Sequence, residues 1–216
     1  MRNSLVLFAG ILLAPFANAV CAGLVSLDML NKANPDAADA AYCKSSMADG
    51  ECALNSEALT SINKAIRKYG VSARGEIVAT LSWMLFESGN WVYNINHFPG
   101  NIGQGTRTMM TWEYVAEYAK SLHPDAYAKA LGSGNVSAAS NSTKTEVIDL
   151  VLNNDDSFGS GFWYLTTKAA SFHGNANSLR DGNKADFQKY VEDGIVTTWT
   201  TERENVWTMV NSAIVF

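Results

Sequence analysis

The sequence predicts a mainly helical fold of the α+β class, a helical bundle in which a small, irregular β-hairpin lobe follows the helix that ends at Glu87. Two observations predict it. Apolar residues recur at the spacing of an amphipathic helix in several segments after residue 55. Residues 90–107 break that pattern, because they are rich in Asn, Gly and Pro. The 47% hydrophobic fraction is enough for one sizeable core.

The helices follow in order from their end signals and their apolar spacing. Asn55 or Ser56 caps the first predicted helix, which Gly70 stops, and Ser72 caps the second, which runs to Glu87. Beyond the lobe, the same signals predict helices at residues 112–122, 125–131, 147–152, 158–172, 184–192 and 201–214.

The first residues have the features of a signal peptide. Arg2 precedes an apolar run at residues 5–13, and Ala17-Asn18-Ala19 has the small residues of a cleavage site. The leader is predicted at residues 1–19, or at 1–22 with cleavage after Ala22, and residues 20–216 form a single domain. The run is shorter than the roughly 20 residues that cross a membrane. We therefore expect a secreted, extracellular monomer with no membrane partner.

The charge balance argues against one class of partner. The chain has a net charge of −5, and removal of Arg2 with the leader leaves 15 basic against 21 acidic residues. Binding of nucleic acid usually requires a basic stripe, so no nucleic-acid partner is expected. The same acidity provides no long-range attraction to an anionic cell wall.

The three cysteines fit an exported protein. Cys43 and Cys52 bracket eight residues that contain the turn signal Asp49-Gly50, which predicts a local disulfide. Cys21 is the odd cysteine, and it is either removed with the leader, free, or paired between chains.

Two further predictions concern metal binding and N-glycosylation. The three histidines lie far apart without ligand spacing, so neither a metal nor a cofactor is expected. Asn135 and Asn141 begin N-glycosylation sequons in a loop rich in Gly and Ser. Such triplets also arise by chance, and that alternative stays open.

Glu87 has the sequence environment of a proton donor. It follows the apolar run at residues 81–86, and Trp83 lies one helical turn earlier. Apolar surroundings disfavour the charged form of a carboxyl group, and a helix C-terminus acts in the same direction. A carboxyl group kept neutral can protonate a leaving group. The alternative is a surface glutamate that merely ends a helix.

The residues after Glu87 suit a sugar ligand. Asn96 and Gln104 offer neutral hydrogen-bonding groups, whereas Trp91, Tyr93 and Phe98 offer flat apolar faces. A sugar ring presents hydroxyl groups at its edge and C–H groups on its faces, and these two kinds of side chain match them. A substrate-binding role is therefore expected for Tyr93, Asn96 and Trp91.

These motifs resemble the lysozyme superfamily. Glu87-Ser88-Gly89 at a helix end, followed by the glycine-flanked Gln104, is similar to lytic transglycosylases and goose-type lysozymes over about residues 72–112. Residues 161–167 are similar to the aromatic helix of plant-type chitinases, and residues 194–207 to secreted fungal lysozyme-like proteins. The resemblance implies a lysozyme-like domain over residues 20–216.

The resemblance also implies roles for single residues. Glu87 would be the general acid that protonates the glycosidic oxygen. Gln104 and Thr106 would lie in the cleft floor, and Tyr164 would line the opposing wall. The sequence departs from hen-type lysozymes, because position 104 is Gln and no Asp follows Glu87 in the lobe.

This departure leaves the second catalytic group open. A retaining glycosidase normally needs a second carboxylate close to the first. The candidates are Glu113, Asp155 and Asp156, although the two adjacent aspartates would equally cap the helix predicted from Phe158. A positioned water or the acetamido group of the substrate would be the alternative.

The function that the resemblance implies is a secreted glycosidase. It would be a glycoside hydrolase that cleaves β-1,4 bonds of amino-sugar polymers, with peptidoglycan as the first expected polysaccharide partner (a muramidase) and chitin or chitosan as the alternative. A second class stays open, a non-catalytic secreted glycan-binding protein or effector. Such a protein would need the aromatic residues but no acid.

Overall fold

The described part of the chain is built from nine α-helices. The computed structural model describes residues 24–45, 48, 50–174 and 178–216. The helices are Leu27–Ala33 (α1), Asn55–Lys68 (α2), Arg74–Glu87 (α3), Trp112–Leu122 (α4), Pro124–Leu131 (α5), Asn141–Asp149 (α6), Asn154–Thr167 (α7), Lys184–Lys189 (α8) and Thr201–Ala213 (α9). The predicted mainly helical fold is confirmed. The predicted leader, its cleavage site and Cys21 lie outside the described residues.

Helix α3 forms the centre of the bundle. Its residues from Gly75 to Leu85 are all buried, and a helix that is buried all round lies inside a core. It packs against α7 and α9. Gly161 of α7 allows the close approach, since a Cβ there would lie 2.8 Å from Thr80 Cγ2. The bundle thereby fixes the end of α3, where Glu87 emerges.

Several helix boundaries differ from the prediction because side chains cap the helices earlier. Asn153 accepts a hydrogen bond from the backbone N–H of Asp156, so α7 begins at Asn154, before the predicted start at residue 158. Ser140 caps α6 in the same way through the N–H of Thr143. After α8, the chain continues as a π-helical turn at Tyr190–Gly194.

Residues 88–111 form an irregular segment, which we call the lobe. Its strand-like pairing consists of two isolated antiparallel bridges, Ile95–Gly105 and Gly105–Met110. Arg107 of the lobe is fully buried and donates hydrogen bonds to the carbonyl oxygens of Glu51, Trp91 and Tyr93. Burial lowers the pKa of this guanidinium to about 10. The lobe is thus held by a buried cation and by turns, not by a regular hairpin ladder.

The predicted disulfide between Cys43 and Cys52 is confirmed. It closes the loop that carries Glu51, which contacts the lobe. A disulfide is typical of proteins that mature in an oxidising compartment. None of the described helices has the length and apolar character needed to cross a membrane.

Candidate functional site

A groove runs across the C-terminal end of α3 between the lobe and α9. It consists of two adjoining cavities of about 240 Å³ and 210 Å³, which share Glu87, Gln104 and Met109 in their walls. The larger cavity is further lined by Trp83, Thr108, Met110, Thr111, Tyr114, Tyr164, Ile195, Val196, Thr197 and Arg203. The smaller cavity is further lined by Tyr93, Ile95, Asn96, His97 and Phe98.

Glu87 lies where the two cavities meet, and it is paired with a cation. Arg203 of α9 donates a hydrogen bond from Nη2 to Glu87 Oε1 at 2.7 Å. The side chains are 9% exposed for Arg203 and 21% for Glu87, so the pair is largely shielded from water. The guanidinium and the carboxylate thus form a charge-assisted hydrogen bond in the groove wall. Arg203 is itself held over the ring of Phe86, 4.0 Å from its centroid.

The wall opposite the lobe comes from the end of the π-helical turn and from α7. Tyr164 donates a hydrogen bond to the carbonyl oxygen of Gly194 at 3.3 Å, which ties α7 to this wall. Burial, followed by the neighbouring Tyr114, raises the pKa of Tyr164 far above that of free tyrosine. The Tyr164 phenol therefore stays neutral at the groove.

The floor of the groove contains a network of amides. Gln104 Nε2 donates to the carbonyl oxygen of Met109 at 2.9 Å, and its Oε1 accepts from Asn96 at 3.1 Å and from Asn101 at 2.8 Å. Asn96 Oδ1 in turn accepts the backbone N–H of Gly100 at 2.8 Å. These contacts fix the orientation of each amide, so the groove presents preordered neutral polar groups.

Glu51, next to the disulfide, supports the smaller cavity from behind. Its Oε2 accepts the backbone N–H groups of Asn94 at 2.8 Å and Ile95 at 3.2 Å. Its Oε1 lies 2.6 Å from His97 Nε2. One carboxylate therefore contacts three residues, Asn94, Ile95 and His97, of the segment that carries Asn96 and Phe98.

Unusual backbone conformations concentrate around the groove. Among the described residues, positive φ at a non-glycine residue occurs in two segments, the lobe and the wall after the π-helical turn. The residues are Asn90, Trp91, Thr106, Met109 and Val196. Such conformations persist only where surrounding contacts enforce them, and they cluster at ligand-binding sites.

The structure brings together five of the seven residues predicted for catalysis and substrate binding, Glu87 included. Tyr93, Asn96 and Gln104 line the groove with Glu87, and Tyr164 lines its far wall.

Trp91 and Thr106 require correction, because both are fully buried. The positive φ of Trp91 accompanies an inward side chain whose ring lies 4.8 Å from that of Phe158. Thr106 bonds Thr108 at 2.9 Å, and it is Thr108 that lines the larger cavity.

The carboxylates expected as partners of Glu87 lie elsewhere. Asp155 bonds Ser61 at 2.9 Å and pairs with Lys64, whose hydrogen bond lowers the pKa of Asp155. Asp156 lies 2.8 Å from His123 in the first turn of α7, and since Asn153 is the cap of this helix, the capping alternative for the two aspartates is wrong as well. Glu113 is exposed on α4 and does not line the groove. Among the described residues that line the groove, Glu87 is the only carboxylate.

Sequence reasoning assigned no role in the groove to Arg203, Thr108, Met109 or Tyr114. Arg203 is the most consequential omission, since it forms the ion pair with Glu87 in the groove. Its sequence separation of 116 residues from Glu87 leaves no local signal for the pairing. Asn135 and Asn141 are exposed, as attachment of a glycan requires, and their glycosylation stays a prediction.

Comparison with known proteins gives one informative match. No protein-family model and no solved structure matches the chain. A protein of Fusarium oxysporum (strain Fo5176), named bifunctional dioxygenase–epoxy alcohol synthase, is 33% identical over 145 residues. The match covers 65% of this chain and 11% of that protein. The chain thus spans about a tenth of the length of this curated relative.

This match corrects the prediction that the chain is a glycosidase enzyme. The name of the relative describes a dioxygenase and an epoxy alcohol synthase, and neither activity is glycoside hydrolysis. The general-acid role of Glu87 depended on that prediction.

Proposed function

We propose that the chain is a secreted, non-catalytic protein that binds amino-sugar polymers in the groove at the end of α3. The observation that carries the proposal is the composition of the groove. Its walls combine aromatic faces with preordered neutral amides and hydroxyl groups, and the charges of Arg203 and Glu87 neutralise one another. Ligand sites of this kind fix orientation with a few polar groups on a largely apolar surface.

The aromatic residues supply faces for sugar rings. Phe98 is 78% exposed at the rim of the smaller cavity, and Tyr93 lies in the same cavity. The imidazole of His97 is near both rings, with its centroid 5.4 Å from that of Tyr93 and 6.4 Å from that of Phe98. An exposed aromatic side chain contributes little to the core, so its position at a groove favours a ligand-binding role.

The charge of the groove favours an uncharged glycan over a polyanion. Arg203 is neutralised by Glu87, so no unpaired cation of the described lining residues is available for phosphate. Glu87 Oε1 is the atom that accepts from Arg203, which leaves Oε2 for a hydroxyl or amide N–H of a ligand. Chitin and the glycan of peptidoglycan are the polymers that match best, and chitosan is the alternative.

The proposal includes a lysozyme-like domain. A helix buried along its length that ends in Glu-Ser-Gly at a groove, with an irregular lobe after it, agrees with that architecture. The disulfide agrees with secretion. The activities named for the Fusarium protein are not carried over, because the match covers a tenth of its length.

The test is co-sedimentation of the purified protein with insoluble peptidoglycan and chitin, together with titration by soluble chitosan oligomers. We expect binding to at least one polymer. Phe98→Ala should weaken it roughly tenfold, because a stacked aromatic face is lost. Phe216→Ala is the matched control, since Phe216 is also exposed but does not line the groove.

The same samples distinguish binding from cleavage. We expect no increase in reducing ends during incubation with any of the polymers. Release of shorter oligomers that Glu87→Gln abolishes would contradict the non-catalytic proposal. If the folded protein binds none of the polymers, the proposal of glycan binding itself is overturned.

A further inference from the structure

Val196 has a strained backbone conformation in the wall of the groove. Its φ of 61° lies in the left-handed region, where a β-branched side chain is a genuine outlier. Glycine is the ordinary residue for this conformation. A valine at this position carries a cost in the folded state that needs a compensating role.

The neighbouring contacts enforce this conformation. The N–H of Ile195 donates to Tyr190 O at 2.8 Å, and the N–H of Thr197 donates to Val191 O at 3.0 Å. Thr197 Oγ1 accepts from Arg203, the same guanidinium that holds Glu87. The residues on both sides of Val196 are therefore fixed, and the position of its side chain is fixed with them.

The side chain of Val196 is not used to stabilise the fold. It is 75% exposed, although it lines the larger cavity. The role that compensates for the strain must therefore lie outside the core. Because Val196 lies in the groove wall, contact with a ligand is the role that its position favours.

We infer that Val196 is a specificity-determining residue that contacts the methyl group of an N-acetyl substituent on the bound sugar. This inference rests on the proposed glycan binding. The adjacent wall residues Ile195, Met110 and Tyr164 offer an apolar surface for the same methyl group. A deacetylated sugar has no methyl group for this surface and would instead bring a strongly hydrated ammonium group to an apolar wall, which costs desolvation. The groove therefore selects acetylated over deacetylated amino sugars.

Calorimetric titration with chitin and chitosan oligosaccharides of equal length tests this inference. Wild type should bind the acetylated oligosaccharide more tightly. Val196→Thr keeps the β-branched shape but replaces one methyl group by a hydroxyl, and it should weaken acetylated binding roughly fourfold. Val196→Gly removes the side chain and should weaken it roughly tenfold while raising or preserving the melting temperature. Neither change should weaken chitosan binding.

Val215→Thr is the control, because Val215 is exposed but does not line either cavity. If both Val196 variants bind the acetylated oligosaccharide as tightly as wild type, the inferred role of Val196 is contradicted, whereas the proposed glycan binding is not. Equal wild-type affinity for the two oligosaccharides also overturns the inference. If wild type binds neither oligosaccharide, the inference fails, and co-sedimentation with peptidoglycan then decides whether the proposed function fails with it.

Discussion

Arg203 Nη2 lies 2.7 Å from Glu87 Oε1 and joins the first turn of α9 to the last turn of α3. The guanidinium also covers the ring of Phe86 and contacts Thr197 of the opposite wall. One cation thus connects the central helix, the last helix and the strained wall segment. The groove depends on this connection for both its shape and its near-neutral charge.

Replacement of Arg203 by Met should cost about 2–4 kcal/mol of unfolding free energy. Removal of one partner leaves the largely shielded Glu87 carboxylate without its cation, and such losses are large for buried pairs. Urea unfolding, monitored by circular dichroism, measures this change in unfolding free energy. The double variant Arg203→Met with Glu87→Gln should recover part of the loss, since no charge then stays unpaired. A single-variant effect below about 0.5 kcal/mol would place the pair among exposed salt bridges.

Glu87→Gln should leave glycan affinity within about threefold of wild type. The amide oxygen of Gln can still accept the Arg203 hydrogen bond, and the ligand loses only a charge-assisted contact. Titration with the oligosaccharide that binds wild type most tightly measures this. A loss of a hundredfold would mean that the carboxylate charge dominates recognition, contrary to the account of a neutral groove.

Removal of the disulfide by Cys43→Ala with Cys52→Ala should lower stability by about 2–3 kcal/mol. The bridge closes a loop with a sequence separation of nine residues, and the chain-entropy estimate for that length has this size. Glycan affinity should fall as well, because Glu51 of this loop holds the backbone of Asn94 and Ile95 behind the smaller cavity. Glu51→Gln, with the disulfide intact, separates the two effects. Unchanged affinity in both variants would show that the lobe is ordered without this support.

The buried tyrosines predict that the folded protein loses stability at alkaline pH. Burial raises the pKa of Tyr118 and Tyr190 well above 10.0. Because the folded-state pKa is higher than the unfolded one, the stability is fully present below pH 10 and is lost as pH rises beyond it. Tyrosinate absorbance should therefore increase cooperatively with unfolding for these residues. The Tyr190→Phe variant lacks one of these two tyrosines and should show a smaller cooperative step in tyrosinate absorbance. If the absorbance of both proteins rises only gradually, while they are still folded, the buried assignment is contradicted.

The sequence was sufficient to predict those features of the structure whose physical signal is local. Helix α3 and its end at Glu87 follow from apolar spacing over one segment, and the disulfide joins two nearby cysteines. The early start of α7 was missed, because the Asn153 cap precedes the apolar residues from Phe158 onward.

The site was predictable only in part, because a loop sequence does not specify which side chains turn inward. Trp91 and Tyr93 have the same pattern in the sequence, yet Trp91 packs on Phe158 and Tyr93 lines the groove. The difference arises from the left-handed turn at Asn90 and Trp91, which tertiary contacts impose. Arg203 was missed for a related reason, since its partner is distant in sequence.

The most direct test is a crystal structure of the protein with a bound chitin oligosaccharide. The account predicts a sugar ring in the groove, packed on Tyr93 or Phe98, with a hydrogen bond to Gln104 or Glu87 and an acetamido methyl group against Val196. Oligosaccharide bound at another surface, with this groove empty at saturating concentration, would contradict the account.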